Sequence, residues 1–286
     1  MDGPWEDSMA TKPVIAGADG SQESLRAVEW AAREAVLRGT SLRIVSVPEL
    51  PRRMTADPAT PGTVSDVVEK STSEALTAAA ELAAAQQPGL AVDTQLLAGA
   101  PAEVLVGAGQ DASMVVLGSR GDGGFSAMIL GSVSRYVATH APAPVVVVRE
   151  ETQAGAREVV VGVRDPAQSA AALGFGFEEA ALRQAQLLAV HAWSSPVPGH
   201  HDAPAEETSR LESAVAAWRE KFPEVEARSE VVRAHPGRVL SGSSARADLV
   251  VLGRHALGGP HTLGVRSVTH AVLGHAHGPV VSVPGD

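Results

Sequence analysis

Short apolar runs alternate with longer stretches of helical periodicity along the whole chain. Val14–Asp19, Leu42–Val47, Val92–Leu97, Ser113–Leu117 and Val145–Val148 are too short for helices and rich in β-branched residues, so each predicts a strand. Their apolar runs are continuous rather than alternating, the pattern of strands covered on both faces. Between the first two, Ala27, Val28, Trp30, Ala31, Ala35 and Val36 recur at helical spacing, with Ser21 as N-cap and Gly39 as the terminating glycine. The segment 48–62 carries four prolines and predicts a loop. Residues 64–86 predict an alanine-rich helix, 101–109 a short helix, and Ser132 through Ala141 another helix.

Five strands alternating with helices predict an α/β fold: an open parallel sheet with helices on both faces and right-handed crossovers. The expected strand order is 3-2-1-4-5. Its switch point lies between strands one and four, where ligands of open α/β sheets bind. Asp19 closes strand one and Gly118 closes strand four, so both face that crevice.

The second half repeats the first. Val115–Val148 aligns without gaps on Val250–Val283, and nearly half of the positions match. Val159–Arg164 lies over strand one, Leu187–His191 over strand two, Leu211–Phe222 over the alanine-rich helix, and Ala227–Val232 over strand three. The expectation is two tandem five-stranded domains, 11–150 and 155–286. The boundary falls near Gln153 within a linker at 151–158, and residues 1–10 form a disordered tail in which Met9 is a candidate start.

The stretch Val115–Ser134 carries the candidate chemistry. A strand end, glycines at Gly118, Gly121, Gly123 and Gly124, and a helix opening at Gly131-Ser132 describe an anion site. Glycine admits a phosphate where a Cβ would block it, and the N–H groups at a helix start point at negative charge. Composition narrows the alternatives. The net charge is −10 with a pI near 5.5 and there is no Lys/Arg run, which argues against nucleic-acid binding. No cysteine is present, which excludes disulfides and thiolate chemistry and fits a cytoplasmic setting. No apolar run approaches a membrane span of about 20 residues, and the acidic first residues lack the apolar core of a signal peptide.

The spacing Gly118-x-x-Gly121, nine residues, Gly131-Ser132 resembles the nucleotide-binding signature of the universal stress protein family. V-I-A-G-A-D-G-S at 14–21 and L-R-I-V-S-V at 42–47 are similar to that family's first two strands. The resemblance covers almost the whole chain, twice, and implies an adenine nucleotide alpha hydrolase-like fold binding ATP, with or without Mg²⁺. It places Asp19, flanked by Gly17 and Ala18, at the ribose and the main chain of Val47 at the adenine. Gly118, Gly121, Gly131 and Ser132 fall at the phosphates, followed by Val133 and Ser134. Apart from the resemblance, Arg120 in the loop is placed either to reach a phosphate or to stand solvated. The resemblance also implies pairing through the fifth strands, Val145–Val148 and Val280–Val281, in a homodimer or between the two halves. Such pairing would remove apolar sheet edges.

The second half departs from this pattern. Arg164 replaces Asp19, Ala256 the second glycine and Arg266 the third, while Gly253 and Ser267 remain. An arginine cannot accept from ribose, so the second half is expected to bind nucleotide weakly, differently or not at all. An ATP-pyrophosphatase or nucleotidyl transferase is disfavoured, since no S-G-G-x-D-S motif and no P-loop lysine appears; slow ATP hydrolysis stays open. Gly107-Ala108-Gly109-Gln110-Asp111-Ala112 matches G-x-G-x-x-A but follows a helix instead of a strand, so it is discarded as a dinucleotide fingerprint. His200, His201, His275 and His277 have no standard metal-site spacing and read as loop or cap residues. Met128-Ile129-Leu130 reads as packing beneath the glycine loop. A nucleotide-free structural protein of the same family is the remaining alternative.

Overall fold

The first half of the chain folds as β1 (Val14–Gly17), α1 (Gln22–Leu37), β2 (Leu42–Ser46), α2 (Pro61–Gln86), β3 (Val92–Leu96), α3 (Pro101–Ala108), β4 (Met114–Gly118), α4 (Ser132–His140) and β5 (Val145–Val148). These elements belong to a computed structural model that describes residues 12–48, 61–121, 130–149, 156–193, 205–254 and 268–285, without the side chains of 61–65 and 167. The expected disordered tail, His200-His201, Met128-Ile129, Ala256, Arg266 and Ser267 lie outside the described residues.

All pairings in this unit are parallel, and the order is β3-β2-β1-β4-β5, as expected. Val14 stands opposite both Leu42 and Met114, so β1 is central. Every residue of β1, β4 and β5 is buried, which is why their sequences are apolar throughout. β3 is half exposed and carries Asp93, which pairs with Arg43 of β2 at 2.9 Å.

α1 begins where the sequence predicts. Ser21 Oγ accepts from the Ser24 N–H at 3.1 Å, and Gly39 takes the left-handed conformation, φ +63°, just past the last turn. Its sheet-facing stripe is mostly alanine: Ala27, Ala31 and Ala35 are fully buried, and their small side chains let the helix lie close on β1 and β4. Val36, expected on this stripe, is exposed. Strand one is shorter than expected, ending at Gly17 with Ala18 and Asp19 beyond it.

The chain divides into two units, Met1–Val148 and Arg149–Asp286. The second unit comprises β6 (Glu158–Gly162), α5 (Ala170–Arg183), β7 (Gln186–Trp193), α6 (Ala205–Arg219), β8 (Ala227–Arg233), α7 (Pro236–Ser243), β9 (Leu249–Arg254), α8 (Val268–His275) and β10 (Val280–Pro284). Its strands are again all parallel, in the order β8-β7-β6-β9-β10. α6 starts earlier than Leu211 and stops before Phe222. The N–H groups of Lys221 and Phe222 both turn back to the Trp218 carbonyl, and Pro223 follows.

Two internal devices recur at equivalent positions. Glu34 and Glu179 each lie twenty residues past the start of the first strand's apolar run, at Val14 and Val159. Both are buried, and each pairs with an arginine one turn on, Glu34 with Arg38 at 2.6 Å and Glu179 with Arg183. Gly17 and Gly162 form the second device. A Cβ on Gly17 would stand 2.5 Å from Leu117 and 3.4 Å from Leu105; one on Gly162 would stand 2.8 Å from Leu252 and 2.9 Å from Leu240. The units differ in how the first helix packs. In the second, Gly174 leaves room for the Trp218 ring, which stacks with Phe177 at a centroid distance of 6.2 Å and meets Phe222 in a tilted arrangement at 6.3 Å.

Candidate nucleotide crevice

β1 and β4 are neighbours, so the segments leaving their carboxyl ends run side by side. Asp19 leaves β1. Its Oδ1 accepts from the Ser21 N–H at 3.0 Å and the Ser21 hydroxyl at 2.6 Å, which orients the carboxylate at the start of α1. Gly121 leaves β4. A Cβ at 121 would fall on Asp19 Oδ2 and stand 3.4 Å from Cγ. Residues 19 and 121 therefore face each other directly, and any side chain at 121 would displace the carboxylate or be displaced by it.

Gly118 has a different constraint. Its Cβ would lie 2.7 Å from the carbonyl carbon and oxygen of Glu23 and 3.0 Å from the Ser24 nitrogen. These are main-chain atoms of the first turn of α1 and have little freedom to move. The glycine is thus required by helix–strand packing whatever the crevice holds. Gly17 is likewise explained by its leucine neighbours, and Ala18 is buried with its N–H bonded to the Val45 carbonyl at 2.9 Å. Arg120 is half exposed and its Nη2 lies 3.8 Å from Glu23 Oε1.

The start of α4 returns to the same place. The Gly131 N–H donates to the Ser119 carbonyl at 2.8 Å, and the Ser134 hydroxyl donates to the Gly118 carbonyl at 2.7 Å. The Ser134 side chain is therefore a buried tie between α4 and β4. Gly131 is the N-cap residue and offers no side-chain cap. The first helical bond is Arg135 N–H to the Gly131 carbonyl, so the N–H groups of Ser132, Val133 and Ser134 precede the ladder and point out of the helix start. Ser132 is exposed there.

On the β2 side, the Ser46 hydroxyl donates to the Ala18 carbonyl at 2.5 Å. Among the described residues the Val47 main chain makes no backbone hydrogen bond. The crevice thus carries an oriented carboxylate, a strand end with backbone donor and acceptor, and a helix start rich in N–H groups. That set matches a ribose, a base edge and an anionic tail. Among the described residues no three His, Asp or Glu gather to hold a metal ion.

Comparison with known proteins agrees with this architecture. The model of the Universal stress protein family matches residues 10–149 and again 155–284. The chain belongs to the universal stress protein family. It is 34% identical over 284 residues to a universal stress protein of Mycolicibacterium smegmatis, covering 94% of this chain and 96% of that one. It is 34% identical over 288 residues to one of Mycobacterium tuberculosis, with 94% and 95% covered. The crystal structure of a universal stress protein from Archaeoglobus fulgidus superimposes with a TM-score of 0.76 at 18% identity, over 97% of this chain and 99% of that one.

The second unit of this universal stress protein keeps the frame and changes the crevice. Arg164 stands exposed where Asp19 would be. His191 takes the place of Ser46 and makes the same bond, its Nδ1 donating to the Val163 carbonyl at 2.9 Å. Pro166 opens a short 3-10 turn, Pro166–Gln168, and α5 begins only at Ala170. The first helical turn is therefore drawn back, and among the described residues a Cβ on Gly253 would meet only Ala172 Cβ, at 3.5 Å. Burial lowers the pKa of the Arg254 guanidinium beside it. A depression in this unit, about 1070 Å³ and lined by Arg157, Glu158, Gln186, Glu226 and Arg228 among others, lies at the amino ends of β6 and β7. It is at the opposite end of the strands from Gly162 and His191, and so is not this crevice.

Sequence reasoning placed Asp19 and Gly121 together and missed Ser46 and Glu23. The signal for Ser46 was present in the repeat, since His191 falls on it without a gap.

Proposed function

We propose that this chain is an ATP-binding regulatory protein whose first unit takes the nucleotide in the crevice between β1 and β4. The observation that carries this reading is the direct approach of Gly121 to the Asp19 carboxylate. A site that needs a carboxylate within reach of a ribose and a tail passing beside it needs that position without a Cβ. In this reading the ribose hydroxyls donate to Asp19, and the adenine edge meets the Val47 main chain. The phosphates lie on the N–H groups of Ser132, Val133 and Ser134, where the helix dipole favours them. Mg²⁺ would then arrive with the triphosphate, held mainly by its oxygens.

The second unit does not take nucleotide in this way. Arg164 has no lone pair for a ribose, and the glycine at the position of Gly121 is replaced by Ala256. Its role in this reading is structural. The protein works as a cytoplasmic binding module, paired through its fifth strands in the manner the family resemblance implies; light scattering tests the pairing.

Calorimetric titration of the full chain with ATP tests the central claim, with mass spectrometry of any molecule that co-purifies. The expected result is one site per chain and an adenine nucleotide in the purified protein. Two equivalent sites overturn the assignment of the second unit, and no heat with no bound nucleotide overturns the function. A turnover assay on the same sample separates a binding protein from a slow hydrolase.

A further inference from the structure

Resting on the nucleotide site just described, we propose that Glu23 is an internal decoy for the phosphate tail, which holds Arg120 until nucleotide binds and thereby sets nucleotide affinity and tail selectivity. The segment leaving β4 runs along the first turn of α1 with three successive contacts. A Cβ on Gly118 would touch the Glu23 main chain at 2.7 Å, Arg120 Nη2 faces Glu23 Oε1 at 3.8 Å, and a Cβ on Gly121 would fall on Asp19. The Glu23 backbone is thus fixed against the strand end, and its carboxylate stands where Arg120 meets it. The Arg120 side chain is 43% exposed and that of Glu23 25% exposed. An ion pair at that distance and exposure is weak and salt-screened.

Two carboxylates, Asp19 and Glu23, border the crevice, and Arg120 faces the second of them. A tail of several negative charges gains more from the guanidinium than one carboxylate does, so Arg120 is exchanged from Glu23 to the tail on binding. Glu23 is then left beside the tail as a like charge. Both effects lower affinity, and the repulsion grows with tail charge. An uncharged nucleoside engages neither residue.

Affinities for ATP, AMP and adenosine are measured by calorimetry on the full chain and on Glu23→Gln, Arg120→Gln and the double variant, each checked for fold by circular dichroism. Glu23→Gln is expected to raise ATP affinity about two- to fivefold, the size of an exposed ion pair. The gain is smaller for AMP and absent for adenosine. Arg120→Gln lowers ATP affinity by about tenfold. In the Arg120→Gln background most of the gain from Glu23→Gln disappears, because there is no held arginine to release. Unchanged or weaker ATP binding by Glu23→Gln overturns the decoy. So does a gain of full size without Arg120, which makes Glu23 a plain repulsive charge, or an equal gain for adenosine, which makes it structural. A wild-type chain that takes up no ATP overturns the proposed function and the decoy together, whereas normal ATP binding with no response at residue 23 overturns the decoy alone.

Discussion

The hydroxyl of Ser46 donates to the carbonyl of Ala18 at 2.5 Å, closing β2 onto β1 just where the two strands stop pairing. It leaves the next residue, Val47, with a main chain that no described backbone group engages, one step from Asp19. The bond sits between the two proposed ends of the nucleoside, the base at Val47 and the ribose at Asp19. In the second unit His191 and Val163 keep the bond while the residues around it change. The bond therefore belongs to the frame, and the ligand chemistry is added to it.

Ser46→Ala removes that donor and leaves a buried carbonyl acceptor without it. The expected loss of stability is about 1–2 kcal/mol, the cost of an unsatisfied buried polar group. Because the strand ends loosen beside the crevice, ATP affinity falls as well. Urea denaturation and a parallel ATP titration check both. A loss of stability with unchanged affinity would separate the bond from the site.

Gly121→Glu should abolish ATP binding and leave the fold intact. The added side chain starts on the Asp19 carboxylate and brings a like charge to it. The segment lies at the surface, so the backbone can shift without opening the core. The expected outcome is a native circular dichroism spectrum with no heat of ATP binding. Affinity like that of the parent would place the nucleotide elsewhere.

The repeated buried pairs give a stability prediction. Glu34 and Glu179 are inaccessible, and each bonds an arginine at the next turn. Removing one partner of a buried pair costs about 3–5 kcal/mol. Arg38→Ala should therefore destabilise the first unit, and Arg183→Ala the second. Thermal unfolding that moves only one of two transitions identifies which unit each arginine supports; a surface-like change of a few tenths would show that other contacts carry the glutamates.

Glu212 offers a pH test within the second unit. The hydrogen bond from Ser229 first, then that from Arg219, holds its carboxyl below the usual glutamate value. A depressed folded pKa contributes stability above the ordinary value, and that contribution is lost as pH falls through the folded one. Glu212 is half exposed, so the effect on stability is small and is best read by NMR titration of the side chain. Ser229→Ala should raise its pKa toward the ordinary value. No change in that variant would remove Ser229 as the main cause.

The strand order and the meeting of Asp19 with Gly121 were legible because both follow from local pattern. Fully buried strands announce themselves as unbroken apolar runs, and the switch point then follows from topology. Side-chain burdens that depend on another element's backbone were not legible. Gly118 reads as room for a phosphate, yet its Cβ would strike the main chain of Glu23, ninety-five residues away in sequence. Val36 has helical spacing with the buried stripe and still faces solvent, as does Leu37, the last residue of α1. The late start of α5 was written in Pro166 but hidden by the good alignment on either side.

That difference between the first helices gives the last prediction. Gly118 and Gly253 are equivalent in the repeat and look identical in sequence, each ending a V-V-L-G run. In the first unit α1 reaches far enough that a Cβ on Gly118 would lie 2.7 Å from the Glu23 main chain, and backbone cannot give way cheaply. In the second unit α5 begins at Ala170, and among the described residues the space over Gly253 holds only the methyl of Ala172, at ordinary contact distance. Gly118→Ala should therefore destabilise the first unit by about 1–3 kcal/mol, the range for overpacking. Gly253→Ala should be close to neutral, within about 0.5 kcal/mol. Denaturant unfolding of the two variants side by side checks the contrast. Equal costs at both positions would mean that the two helices approach their strands equally closely, and that the retreat of α5 leaves no extra room above Gly253.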